Sequence, residues 1–436
     1  MKIVVCLFFI SNILLANYTI IPSKREYSLL DKMPKGYVND MYKIPQDLLF
    51  YAKQIRQIPY TIQLKRDKEF NYNYFKPWRQ NSFNEPIKEI TWANKMLRRK
   101  DLYKMGYKKI SEATKKYWIY NSNMNNFDTI RAKAITIRDS NLRALPTSIR
   151  IFLNPNKNTQ GFPFDYNQNT AIYLNTPLYI SHYSKDKKWA LVHAPGSYGW
   201  IKVKDIALVT NSFIKEFQTG KYGIVIRDNS KLINGKNVIA HLKIGTIFPI
   251  KNDNLLFATR KNGIAKISSF KRVSNKLVAT KPLKFTPTNV AYIANQLKDE
   301  PYAWGGILHA RDCSATTKDF FACFGIFLPR NSSDQAKRGQ YISIKHFKGR
   351  AKKNVILKYA KPFESLLFVP GHIGIYIGRY KNEPIIMHTY WGIRLKDFSK
   401  YRLSRTIITT LEPGKERRDL RVKSKMSNTL KAIINF

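Results

Sequence analysis

Apolar spacing divides the chain into three kinds of sequence. From residue 17 to about 128 apolar positions recur at helical intervals, as at Trp92, Met96, Leu97, Leu102 and Met105, which predicts a helical segment. Asn-rich Asn121 to Phe127 reads as the linker that ends it. Between 129 and 283 the pattern shortens to alternating strands broken by Gly, Asn and Pro. Ile135-Thr136-Ile137-Arg138-Asp139 recurs there as Ile224-Val225-Ile226-Arg227-Asp228, and Gly199 to Val203 is echoed, in the same order, by Gly263 to Ile267. Two small antiparallel barrels, 129–212 and 213–283, account for the echoes, the first with an insertion around Asn154 to Thr170.

After Lys281-Pro282 the pattern becomes α plus β. Val290, Ile293, Ala294 and Leu297 mark one face of a helix, and Gly305-Gly306 leads to a second helix near 313–324. Glycine-bounded strands follow, His372 to Gly378 and Ile385 to Tyr390. A mixed α+β domain over 284–412 fits this order. Residues 413–436 are basic and read as a loosely held tail.

The first 16 residues change the compartment. Lys2 precedes an apolar run from Ile3 to Leu15, interrupted by Ser11 and Asn12 and closed by Ala16. The run is shorter than the roughly 20 residues that span a bilayer, so it is expected to be a secretory leader cleaved after Ala16. A buried N-terminal helix is the weaker reading. Cys6 lies inside the run, which does not suit a lipid anchor. The expected location is the periplasm or cell wall.

Charge adds less than its size suggests. Lys and Arg number 76 against 29 Asp and Glu, a net +47, which attracts polyanions such as nucleic acid, anionic lipid or wall polymer. The cations are spread along the chain, however, and the leader removes it from nucleic acid. There is no His-Glu-x-x-His and no Cys-x-x-Cys, so neither a metal nor another cofactor is expected.

Without the leader two cysteines remain, Cys313 and Cys323. On one helix, ten residues separate them by about 15 Å, beyond the roughly 7 Å that a disulfide bridges. Cys323 stands among Phe320, Phe321 and Phe324 and suits a core position. Cys313 follows Asp312, an N-cap residue, and so starts the helix, where the macrodipole favours the thiolate. A thiolate nucleophile needs a base. Of the seven histidines, His372 opens one strand and His388 ends the next. A hairpin centred at residue 380 would set them opposite each other, Cα atoms about 5 Å apart, one as base and the other as its orienter. His309, four residues before the cysteine, is the rival, but it sits in the preceding loop. The other histidines are assigned structural or exposed roles.

The segments Pro301-Tyr302-Ala303-Trp304-Gly305-Gly306, Asp312-Cys313-Ser314 and Gly371-His372-Ile373-Gly374-Ile375-Tyr376-Ile377-Gly378 resemble the NlpC/p60 family of cell-wall cysteine peptidases. So do Phe324 to Gln335, through Leu328-Pro329-Arg330, and His388-Thr389-Tyr390-Trp391-Gly392. The likeness is to a subfamily whose peptidase follows a helical N-terminal segment and two bacterial SH3-like domains, and Tyr74-Phe75-Lys76-Pro77-Trp78 resembles a signature of that segment. The resemblance implies a papain-like α+β catalytic domain that hydrolyses the bond between γ-D-glutamate and meso-diaminopimelate or lysine. By position, Cys313 would be the nucleophile, His372 the base and His388 its orienter. Tyr302 would help the Cys313 N–H bind the oxyanion. Asp312, Ser314 and Trp304 would contact substrate. The first SH3-like domain would narrow the cleft toward peptides with a free N-terminal L-Ala, through Tyr198 or Trp200. Peptidoglycan or muropeptides are the implied partners of a monomer. Ala315 stands where many relatives have Gly. The rival reading is an idle wall-binding protein acting through its SH3-like domains, against which the complete set of Cys313, His372, His388 and Tyr302 argues.

Overall fold

The structure is a computed structural model that describes residues 18–22, 28–99, 101–154, 160–271 and 276–436. The expected leader lies outside the described residues. Up to residue 121 the chain forms short helices, the longest being α1 (Tyr60–Tyr74) and α2 (Glu112–Asn121), the latter capped by Ser111. The predicted apolar stripe is only partly helical: one helix spans Trp92–Leu97, Met96, Leu97 and Leu102 are buried, and Trp92 and Met105 stay exposed. The buried face of α1 sets Gln63 and Asp67 beside the core residue Phe70, and the polar pair straps the helix to residues 281–285. Gln63 donates to the Leu283 carbonyl and accepts from the Phe285 N–H, and Asp67 pairs with buried Lys281. Trp78 is buried with Phe75, Phe213 and Phe217 while its indole N–H satisfies the Ala134 carbonyl.

The strands repeat at an interval of seven. A first strand, β1 (Tyr18–Pro22), precedes them. One set comprises β2 (Ala132–Thr136), β3 (Ser140–Arg143), β4 (Gln168–Ile172), β5 (Pro177–Tyr183), β6 (Trp189–Ala194), β7 (Ser197–Lys202) and β8 (Ile206–Leu208). The next comprises β9 (Tyr222–Val225), β10 (Ser230–Asn234), β11 (Asn237–Leu242), β12 (Ile247–Lys251), β13 (Asn254–Lys261), β14 (Ile264–Lys271) and β15 (Val278–Thr280). In the first, β2 pairs with β5 and β8, β5 with β6, β6 with β7, and β3 with β4. In the second, β9 pairs with β12 and β15, β12 with β13, β13 with β14, and β10 with β11. Both sequence echoes fall on or beside corresponding strands, the first where β2 and β9 end and the second on β7 and β14. A two-residue turn joins β10 to β11, whereas residues 144–167 join β3 to β4. Within that longer connection Leu145 and Ile151 pack against Met96, Leu97 and Trp118 of the helical segment.

The last part holds α3 (Pro287–Leu297), α4 (Cys313–Cys323) and α5 (Gly349–Tyr359) against an antiparallel sheet. Its strands are β16 (Gln340–Ser343), β17 (Ser365–Val369), β18 (His372–Tyr380), β19 (Glu383–Arg394), β20 (Lys400–Thr409) and β21 (Ala432–Asn435), in the order β16-β21-β17-β18-β19-β20. The expected loose tail is therefore wrong. β21 is inserted between β16 and β17, and its Ile433 and Ile434 are buried on opposite faces of the sheet. Three apolar residues among basic ones are too short a run to announce a strand that pairs on both edges. One core unites Trp78, Ile224, Phe320 and Ile373, so all parts of the chain support the start of α4. Among the described residues no helix is long and apolar enough to cross a membrane.

Candidate active site

Asp312 caps α4 as expected, its Oδ1 accepting from the Ala315 N–H at 3.0 Å. Its Oδ2 accepts from the Gly305 N–H at 2.9 Å and from Arg330 Nη2 at 2.6 Å. Arg330 also donates to Ser314 Oγ at 2.8 Å and, through Nε, to Thr170 Oγ1 on β4 at 2.8 Å. Asp312 and Ser314, expected at the substrate, thus line the cleft but spend much of their polarity on this buried arginine. Arg330 was missed as a site residue. Its only sequence signal is its place between Pro329 and Asn331 in the family-like stretch.

Cys313 and Cys323 are both free, as helix geometry requires. The Cys313 thiol lies near the N–H groups of Ile373 and Ser314, which favour its anion. Burial outweighs them and, with the charge of Asp312, pushes the thiol up to about 12. Burial thus works against the thiolate that the N–H groups at the helix start favour.

The histidines meet, but not as predicted. Lys381 and Asn382 form the hairpin turn with positive φ, Tyr380 faces Glu383, and a bulge between Tyr376 and Gly378 shifts the register so that Ile375 faces Met387. His388 consequently lies beside Gly374, where a Cβ would come within 2.8 Å of its own, and reaches diagonally to His372. His372 Nε2 and His388 Nδ1 are 2.9 Å apart. Tyr390 stacks on His388, ring centroids 4.7 Å apart, and lies 5.0 Å from the ring of His372. Burial, with the charge of Lys400, pushes His372 down to about 3. His388 is driven well below the usual histidine range by burial and by its partner. Burial thus shifts the thiol and both imidazoles toward their neutral forms.

A cleft of about 850 Å³ opens over Cys313, lined also by Tyr302, Trp304 and Tyr198. Tyr302 is buried against Phe164 and Trp391. Trp304 is 39% exposed and flanked by Phe164 and Tyr166 from the β3–β4 connection. Of the two aromatic candidates in the first strand set, Tyr198 reaches the cleft, whereas Trp200 is 3% exposed and packs on His182. His309 pairs with Asp139 and stacks on His241. His193, assigned a structural or exposed role, lines the cleft and meets Glu85 Oε1 at 2.8 Å. Among the described residues no group of three acidic, His or Cys side chains is arranged to hold a metal.

Residues 299–409 match the NlpC/P60 family, residues 5–127 its N-terminal stabilising domain, and residues 150–202 an SH3 domain of the SH3b1 type. The chain belongs to the NlpC/P60 family. Its fold is similar to that of an NlpC/P60 endopeptidase from Photobacterium damselae subsp. piscicida, at 24% identity and a TM-score of 0.82 over 92% of this chain and 98% of that one. An NlpC/P60 family protein from Bacillus cereus ATCC 10987 is matched at 14% identity and a TM-score of 0.45, over 70% of this chain and 99% of that one. No curated protein matches the chain. This NlpC/P60 protein is thus multidomain, with an SH3-like domain and a helical N-terminal part ahead of its family domain.

Proposed function

We propose that this NlpC/P60 protein is an exported cysteine peptidase that hydrolyses the γ-D-glutamyl bond to meso-diaminopimelate or lysine in peptidoglycan stem peptides. The observation that carries this reading is the 2.9 Å contact between His372 and His388 beside the buried start of the Cys313 helix. In the reaction His372 takes the Cys313 proton as Sγ attacks the γ-glutamyl carbonyl carbon. The charge passes to the carbonyl oxygen, which the Cys313 N–H and Tyr302 stabilise. His372 then returns the proton to the departing amine, leaving a thioester. A water, deprotonated by His372, attacks that thioester and releases the carboxylate and the thiol. Attack consumes the charge as it forms, so a resting ion pair is not required.

A preference for a free N-terminal L-Ala is part of the reading. Tyr198 supports it, as do Glu85 and Glu89 in the same cleft, which suit an ammonium group. The repeated strand pairing supports a second SH3-like domain over 213–283, and the helix-on-sheet packing a papain-like peptidase. Location in the periplasm or wall rests on the expected leader at 1–16.

The test is mass spectrometry of digests of free-L-Ala and muramyl-capped peptides. Cleavage of the uncapped peptide by the wild type, and none by Cys313→Ala, is expected. Product from Cys313→Ala would overturn the peptidase reading, and cleavage of capped peptide alone would overturn the stated preference.

A further inference from the structure

His388 has a second partner whose chemistry decides which way the histidine pair is protonated. Its Nε2 lies 3.1 Å from Thr409 Oγ1 at the end of β20. That hydroxyl also lies 2.8 Å from the Thr410 carbonyl oxygen, to which it donates. A carbonyl can only accept, so the single hydroxyl proton is committed to it and the oxygen is left to accept from His388. His388 therefore carries its proton on Nε2 and accepts through Nδ1. The proton between the rings then belongs to His372 Nε2. His372 Nδ1 is left with a lone pair, as a general base requires.

The reverse arrangement is instructive. Were Thr409 to donate to His388, the proton between the rings would sit on His388 Nδ1. His372 would then carry its proton on Nδ1 and could not accept one from the thiol there.

The outer end of this chain is held by the helical N-terminal segment. Asp40 Oδ2 accepts from both the N–H and the hydroxyl of Thr410, each at 2.8 Å, and Asp40 is itself buried. Asp40 thus holds Thr410, the residue whose carbonyl receives the Thr409 proton, by its N–H and its side chain. Asp40 and the histidines are more than 300 residues apart in the chain, and nothing in their spacing announces the link.

We propose that Thr409 is a positioning residue that sets the tautomer of the His388–His372 pair, and that Asp40 braces it from the N-terminal segment. The proposal rests on the reading of Cys313 as nucleophile and His372 as base.

The experiment compares the full-length wild type with Thr409→Val, Thr409→Ala and Thr409→Ser for kcat, KM and ¹⁵N chemical shifts of labelled histidines. The wild type is expected to show both imidazoles protonated at Nε2. Thr409→Val and Thr409→Ala should lose about tenfold to a hundredfold in kcat with KM little changed, and should show mixed tautomers. Thr409→Ser, which keeps the hydroxyl, should restore both signals. Asp40→Ala should cost less, and nothing further in the Thr409→Val background. Wild-type kcat and tautomers in both hydroxyl-free variants would overturn the role of Thr409, and additive losses with Asp40→Ala would overturn the brace. Activity surviving in Cys313→Ala or His372→Ala would instead overturn the underlying reading, so the two failures are distinct.

Discussion

Arg330 and Asp312 form a buried ion pair at 2.6 Å, one residue before the cysteine that starts the reactive helix. The pair does more than neutralise charge. Asp312 caps α4, while Arg330 continues to Ser314 and to Thr170 on β4, so one guanidinium ties the helix start to the first strand set.

Removing the guanidinium should therefore destabilise strongly. Arg330→Ala leaves the Asp312 carboxylate buried without its partner, a change that costs about 3–5 kcal/mol. Arg330→Lys keeps the charge but cannot reproduce three directed donations, and should recover only part of the loss. Urea unfolding of the three proteins tests this. Equal stability of Arg330→Ala and the wild type would remove the pair from the account.

Cys313 should behave as a weakly acidic thiol in the free protein. Burial pushes it up to about 12, so its alkylation rate should rise about tenfold per pH unit and still be rising above the ordinary thiol value of 9.0. Peptide mapping separates it from Cys323, which burial raises further. A rate that levels off below that value would show a preformed thiolate.

The histidines should make the fold acid-sensitive. His372 stays neutral in the folded protein down to about pH 3, whereas an unfolded imidazole titrates near 6.5. Between those values the unfolded chain binds the extra proton, so stability rises with pH across the window. The contribution is complete above about 6.5 and is lost as pH falls toward 3. His388 acts in the same direction. His372→Gln should flatten the acid-side fall in Tm measured by calorimetry across that range. An unchanged slope would mean that other groups control it.

How much of this was legible depended on whether the cause was local. The cap at Asp312, the apolar face of α3 and the strand echoes are set by neighbours within a few residues, and each is seen where the sequence puts it. The diagonal meeting of His372 and His388 depends on a one-residue bulge, which no alternation pattern records. β21 was hidden because its pairing partners lie at 340–343 and 365–368, far from its own basic flanks. Arg330, Thr409 and Asp40 were invisible for a related reason. Their partners are distant in sequence, and each residue type is ordinary at its own position.

Gly305 offers the sharpest test of how the first strand set bears on the site. It adopts φ of +63°, and a Cβ there would lie 2.6 Å from the Gln168 side chain and 2.8 Å from its carbonyl oxygen. Its own N–H donates to Asp312 Oδ2 at 2.9 Å, and its carbonyl accepts from Gln168 Nε2 at 3.2 Å. Gly305→Ala therefore meets two obstacles, a left-handed backbone costing about 1–2 kcal/mol and a collision with strand backbone. Because one obstacle is the main-chain oxygen of β4, shortening the side chain in Gly305→Ala/Gln168→Ala should not restore the protein. Expected outcomes are a lowered Tm in both variants and loss of peptide cleavage in both. Full rescue by the double substitution would show that only the Gln168 side chain stands in the way, and that the strand does not press on the loop that carries Asp312.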